Sequence, residues 1–235
     1  MNKTVTASSS GSVSTKLGRY ASLGVGMGAV GYGLTSIIVA LTAPDAITWK
    51  GYESFIANYQ AWPTILIVVS PFLVTFIYPI LAVAMYWAAS EERRPYSQLA
   101  VIFAGIYTAV LGSAYWTQLT FIPQSIQEGN TAGLQLWVMW HERGIFWSYE
   151  SFGYFAMGIS LAFAGLSITP GKVKGYVRTL MFVMFPFGFL FMLNEWMGMW
   201  PLATVMVLSL IFGWVILVSI ISFSLYRQYW NAPNR

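Results

Sequence analysis

Residues 63–89 read PTILIVVSPFLVTFIYPILAVAMYWAA, and this stretch decides the fold class. It holds no charged side chain, and it exceeds the about 20 residues that an α-helix needs to cross a hydrocarbon core of about 30 Å. A barrel strand would alternate apolar and polar positions, and no such period is present. The stretch predicts a membrane-crossing helix. Comparable apolar runs lie on either side of it, at 20–43, 98–122, 145–168, 177–195 and 201–226. The expectation is an all-α integral membrane protein, a six-span transmembrane helix bundle.

Composition agrees. The 235 residues are 57% hydrophobic, 17% aromatic and only 9% charged, with a mean hydropathy of +0.62; an ordinary soluble domain carries roughly 25% charged residues. So few charges cannot coat a soluble globule, which excludes a soluble enzyme, a disordered tail protein and a nucleic-acid binder. The absence of cysteine excludes disulfides, iron–sulfur clusters and thiolate metal sites. His141 is the only histidine, so bis-histidine haem and three-histidine zinc are excluded within one chain. No lysine lies inside a span, which excludes a retinal Schiff base. No cofactor and no metal site are expected.

Residues 1–19, rich in Ser, Thr and Gly with Lys3, Lys16 and Arg19, read as a flexible cytoplasmic tail. Residues 20–230 form a single six-span domain, and 231–235 a second cytoplasmic tail. Charge sets the orientation. Of the 12 lysines and arginines, all but Lys50 and Arg143 fall on one side, which is cytoplasmic by the positive-inside rule. Both termini are then cytoplasmic, and the expected location is a cell membrane, the bacterial inner membrane, crossed several times. The acids Asp45, Glu53, Glu128, Glu142 and Glu195 fall on the outer face. Trp49, Trp62, Trp137, Trp140, Trp147, Trp196 and Trp200 crowd there too, more than an aromatic belt alone requires.

Two outer loops are expected to hold short interfacial helices. Residues 47–62 place Trp49, Tyr52, Ile56 and Tyr59 at helical spacing. Residues 131–143 carry Leu134, Trp137, Val138 and Trp140, and break at Gly144. The run Gly24-Val25-Gly26-Met27-Gly28-Ala29 imitates a dinucleotide fingerprint but opens a membrane helix, where glycines four apart allow close helix packing. Pro71, Pro79 and Pro186 are expected to kink their helices.

The residues that carry chemistry gather at the outer level. Span three ends in a polar face with Tyr115 and Gln118 three apart. His141-Glu142-Arg143 precedes Trp147 and Glu150, and Glu150 lies about 9 Å inside the membrane from Gly144 at helical rise. A carboxylate at that depth must face protein or water and find a partner. Arg143, seven residues earlier, is one such partner and a proton or ligand is another. Asn194 and Glu195 close span five at the same level. The candidate ligand-binding set is therefore Glu150, Arg143, Trp147, Tyr115, Gln118, His141, Glu195 and Asn194, with no catalytic set defined. Small-molecule pockets are apolar, aromatic-lined and supplied with a few convergent polar groups. The expected function is binding of an amphipathic or lipid-like molecule, or of a membrane protein partner, in an outward-facing pocket bounded by spans three to five. The alternatives are a lipid- or isoprenoid-modifying enzyme with Glu150 as acid/base, and an accessory subunit of a membrane complex. Membrane lipids are partners in each case, and nucleic acid in none.

Overall fold

In the computed structural model, which describes residues 8–141, 144–197 and 203–230, each long apolar run folds as a helix. These are α1 (Ser8–Thr42), α4 (Ala61–Ala88), α5 (Arg94–Leu119), α7 (Ile145–Ser167), α8 (Gly175–Met197) and α9 (Ala203–Ser224). Short helices α2 (Pro44–Ile47), α3 (Tyr52–Ala57) and α6 (Phe121–Gln127) lie between them, and a π-helical turn, Leu225–Trp230, follows α9. No strand occurs among the described residues.

Five of the described segments are long and apolar enough to cross a membrane: α1, α4, α5 with α6, α8, and the segment Ile211–Trp230. Helix α7 has the same 23-residue length as α8 but carries Glu150 and several serines, and burial explains why. Glu150, Ser151, Ser160 and Ser167, with Gly153, Gly158 and Gly165, all face other helices. In a membrane, where apolar surface gains little by leaving lipid, small and polar residues are what brings helices together.

Each long helix packs on the next one in the chain, and α9 closes back on α1, so the six form a ring with α7 also touching α4. Named contacts hold the ring. The Tyr78 hydroxyl on α4 donates to Ser160 Oγ on α7 (2.7 Å), and Ser160 donates to the Ala100 carbonyl on α5 (2.7 Å), tying three helices together. Pro79 cannot bond the Thr75 carbonyl one turn back, and the Thr108 hydroxyl on α5 takes that place at 2.6 Å. The carbonyl that Pro79 leaves free thus serves packing. The glycines of α1 do the same, since Ser70 on α4 donates to the Gly28 carbonyl (2.8 Å) and a Cβ at Gly28 would collide with Val74.

Three details depart from the sequence reading. Helix α1 already runs through residues 8–19, the stretch expected as a flexible tail. Its 35 residues span about 52 Å at 1.5 Å each, longer than a bilayer core, so one end projects beyond it. The second loop, 131–141, is not a helix but a series of turns around a 3-10 turn at Leu134–Leu136, because Gly133 takes a left-handed φ of 74° and breaks the run. In the first loop the helix expected over 47–62 is shortened to α3, which Gly51 precedes at φ 98°.

The two ends of the bundle differ chemically. At the end expected inside, Arg93 donates to the carbonyls of Leu166 (2.7 Å) and Ile168 (3.4 Å), and Arg178 to that of Gly165 (3.1 Å). Two cations therefore cap the C-terminus of α7, where the helix dipole favours positive charge. At the opposite end a second, smaller apolar core of Ile122, Leu134 and Val138 is covered by Trp49, Tyr52, Phe55, Trp137 and Trp140. The two loops fold together into a cap. Tyr52 donates its hydroxyl to the Thr131 carbonyl, and Trp140 Nε1 donates to Thr64 Oγ1 (3.2 Å) on α4.

Candidate functional site

Beneath this cap the ring encloses a carboxyl group. Glu150 sits in the second turn of α7 and is 2% exposed. Two tyrosines donate to the same oxygen, Oε1: Tyr115 from α5 at 3.0 Å and Tyr154, one turn along α7, at 2.9 Å. Their hydroxyls are 3.3 Å apart, so three oxygens form a triangle. Tyr32 on α1 reaches the same aromatic cluster through Trp214. The rings of Tyr154 and Trp214 (5.1 Å), Tyr154 and Phe191 (4.9 Å), and Tyr32 and Trp214 (6.2 Å) surround the group. Helices α1, α5, α7, α8 and α9 all contribute.

Among the described residues no donor reaches the second oxygen, Oε2, and no cation bonds the carboxyl. Asn194 on α8 is 1% exposed, and among the described residues its Oδ1 has no hydrogen-bond partner. The register of the antiparallel pair α7 and α8 brings this oxygen to the level of Glu150. Tyr154 faces Phe191, and outward from there Glu150 is four residues along α7 and Asn194 three along α8. Those steps differ by only about 1.5 Å of helical rise. Glu195, partly exposed at the outer end of α8, lies within Coulombic reach of Glu150. The Tyr107 hydroxyl, fully buried on α5, likewise has no partner among the described residues and lies within the same reach.

The expected residues therefore divide. Tyr115 and Glu150 meet directly, and Asn194 and Glu195 stand at their level. Gln118 does not line the same space; one turn further out, it clamps the cap. Its Nε2 donates to the Trp137 carbonyl (2.6 Å), and the Met139 N–H donates to its Oε1 (3.0 Å). A glutamine in a span needs a partner, and the partner here is loop backbone. His141 belongs to the cap as well, its ring 4.9 Å from that of Trp49. Trp147 packs against the main core beside Phe146. Glu142 and Arg143 lie outside the described residues, and so does the expected Arg143–Glu150 tether. No group of three His, Asp or Glu that could hold a metal ion occurs among the described residues.

The outer tryptophans also divide. Trp62, Trp116 and Trp196 are exposed, as a lipid-facing belt requires. Trp49, Trp137 and Trp140 are turned into the cap. A cavity of about 290 Å³ opens at this end between Asp45, Lys50, Ser54, Phe55, Asn58 and Tyr59. It belongs to the first loop, and none of the candidate residues lines it.

Sequence reasoning missed Tyr154, Tyr32 and Trp214. Tyr154 carried a usable signal, lying four residues from Glu150 and hence on its helix face. Tyr32 and Trp214 had none, because nothing local links α1 and α9 to α7. The chain matches no protein-family model, no curated protein and no solved structure.

Proposed function

We propose that this is a six-span membrane protein with both termini on the cytoplasmic side, which binds an amphipathic molecule in the outer half of the bundle through the Glu150 cluster. The sixth span is α7, whose length suffices and whose polarity follows from its interior position. The distribution of basic residues supports the orientation. Cysteines placed at Ser8 and Asn231 should resist a membrane-impermeant thiol reagent in intact cells while one at Asn130 reacts; labelling of either terminal position overturns it.

The observation that carries the binding function is the Glu150 carboxyl itself, buried under an aromatic cap with two tyrosine donors on one oxygen and, among the described residues, none on the other. Ionisable groups at such positions are costly in a membrane and mark sites of function. The ligand class that suits it is a lipid-like molecule whose head group donates a hydrogen bond, entering from the outer side once the cap loosens. An acid/base role toward a lipid would need the same access. The test is extraction in native-lipid discs followed by mass spectrometry of co-purifying molecules, for the wild type and for Glu150→Gln. A lipid-like species retained by the first and lost from the second is expected, and identical contents overturn the reading.

A second reading, an accessory subunit, draws on α8, which exposes Phe182, Val183, Phe185, Phe189 and Leu190 along its length. A stoichiometric protein in place of a small molecule in the same extraction would select it.

A further inference from the structure

We infer that the end of the bundle opposite the cap binds the head group of an anionic phospholipid, through Arg19, Lys174 and Arg227 around the π-helical turn that follows α9. Three elements converge there. The Arg19 guanidinium on α1 donates to the Tyr226 hydroxyl (3.4 Å) and lies over its ring, 5.5 Å from the centroid. Two residues on, Gln228 accepts from the Lys174 N–H (2.8 Å) and donates to the Tyr176 hydroxyl (3.0 Å), which ties the start of α8 to the other side of the turn. Successive helical residues step about a quarter of the way round the axis, so the exposed Arg227 stands on the outer face between the two. Gly18 lets the turn seat this closely on α1, because a Cβ there would collide with the Trp230 indole.

These cations have no acid to neutralise them. Residues 1–44, 151–194 and 196–235 contain neither aspartate nor glutamate, so α1, α9, the turn and the loop before α8 can supply none. The two acids at this end, Glu91 and Glu92, belong to the connection between α4 and α5, across the ring, where Glu91 faces Arg94 at 4.0 Å. Arg93 and Arg178 are used otherwise, on the carbonyls of α7. The positive-inside rule would be met by cations anywhere at this end; here three converge on one turn. The helix face that leads to them selects a lipid over a soluble phosphate. Ile216, Ile220, Phe223 and Arg227 follow at intervals of four, three and four, which is one face of a helix. Ile216 and Ile220 are 55% and 41% exposed, and Phe223 is half-buried. From Ile216 to Arg227 is about 16 Å at helical rise, close to one leaflet's share of a hydrocarbon core of about 30 Å. An acyl chain lies along this stripe while the phosphate takes charge-assisted hydrogen bonds from the cations.

The site rests on the reading of the bundle as membrane-spanning and owes nothing to Glu150, so thiol labelling of the termini and lipid selectivity can fail separately. The experiment is native mass spectrometry of the purified full chain in neutral detergent, titrated with phosphatidylglycerol, with phosphatidylcholine and with glycerol phosphate. Retention of phosphatidylglycerol well above phosphatidylcholine is expected, since only the first carries net negative charge. Arg227→Gln and Lys174→Gln should each weaken it about fivefold, the effect of one basic residue at an anionic surface. Changing Arg19, Lys174 and Arg227 to glutamine together should lower it to the phosphatidylcholine level. The three side chains are exposed, and if the triple variant does not fold the two single ones decide. Arg94→Gln removes the same charge across the ring and should leave retention unchanged. Equal retention of the two lipids overturns the inference. So does an Arg94→Gln effect as large as that of Arg227→Gln, which would mean general surface charge. Glycerol phosphate bound as tightly as the whole lipid overturns it in favour of a soluble phosphate.

Discussion

Substituting Gly188 by alanine tests whether the contact between α7 and α8 sets the geometry of the Glu150 cluster. A Cβ at Gly188 would lie 2.6 Å from the Tyr154 carbonyl oxygen and 2.8 Å from Phe155 Cα, where ordinary contact begins at 3.4 Å. The obstacle is backbone, so no side-chain rotation relieves it, and the helices must part by about 0.8 Å. Overpacking of this kind costs typically about 1–3 kcal/mol, and the upper half of that range is expected where backbone meets backbone. At about 1.4 kcal/mol per factor of ten, the folded population relative to the unfolded falls about 30-fold to about 140-fold. The shift also reaches the site, because Phe191 and Asn194 stand one and two turns further along α8. Gly158 faces the same seam, with the backbone of Met184 and Phe185 within 3.1 Å of its Cβ position. One separation of the helices accommodates both methyl groups, so the double substitution should cost less than the sum of the two. Gly105→Ala on α5 is the control, since nothing lies within 4 Å of its Cβ position, and there the better helix former should be neutral or stabilising by up to about 1 kcal/mol. Reversible unfolding in mixed micelles, read by tryptophan fluorescence, provides the measurement. If Gly188→Ala is as stable as Gly105→Ala, backbone contact does not set the spacing of these helices, and the register argument for Asn194 falls with it.

Two further outcomes follow from the outer end. Gln118→Ala removes both bonds that hold the second loop and leaves a buried N–H and carbonyl unpaired, at a cost of about 1–3 kcal/mol; hydrogen exchange of residues 134–141 should quicken while that of α7 does not. At the first loop, Lys50 bonds Asp45 at 2.6 Å and holds its carboxyl below the usual carboxylate range, by hydrogen bond first and by charge second. The contribution of this pair is therefore present above the ordinary aspartate range and is lost as pH falls through the depressed value. Lys50→Met should return the Asp45 titration, followed by NMR, to its ordinary range, with no change in global stability because both side chains are well exposed. An unmoved titration would remove the pair.

Much of the fold was legible because a membrane helix is written in consecutive residues. The run 145–168 became Ile145–Ser167 and 177–195 became Gly175–Met197. Loops were less legible, since whether residues at helical spacing form a helix depends on a single glycine. Gly133 and Gly51 decided it by adopting positive φ. Of the site, the depth of Glu150 and its need for a partner could be read, and so could Tyr115 as a polar residue on an inward face. Which groups would meet Glu150 could not, because Tyr32 and Trp214 arrive from helices distant in sequence and brought near only when α9 closes the ring on α1. Gln118 shows the same limit in reverse. Its need for a partner was visible, but that partner is the backbone of a turn, to which residue type gives no clue.

The arrangement on α5 joins the cap to the buried carboxyl. Tyr115 and Gln118 are three residues apart, so they rise from one helix face about 4.5 Å from each other along the axis. The first donates inward to Glu150, and the second grips the loop above it with two hydrogen bonds. Side-chain flexibility cannot separate them readily, because Tyr115 is 1% and Gln118 2% exposed. A loop displacement that keeps the clamp must therefore pull on the same turn of α5 that supplies a proton to Oε1. Releasing the clamp instead frees the loop while leaving the Tyr115 bond in place. Gln118, one turn above Tyr115, thus ties the backbone of the second loop to the turn of α5 that bonds Glu150.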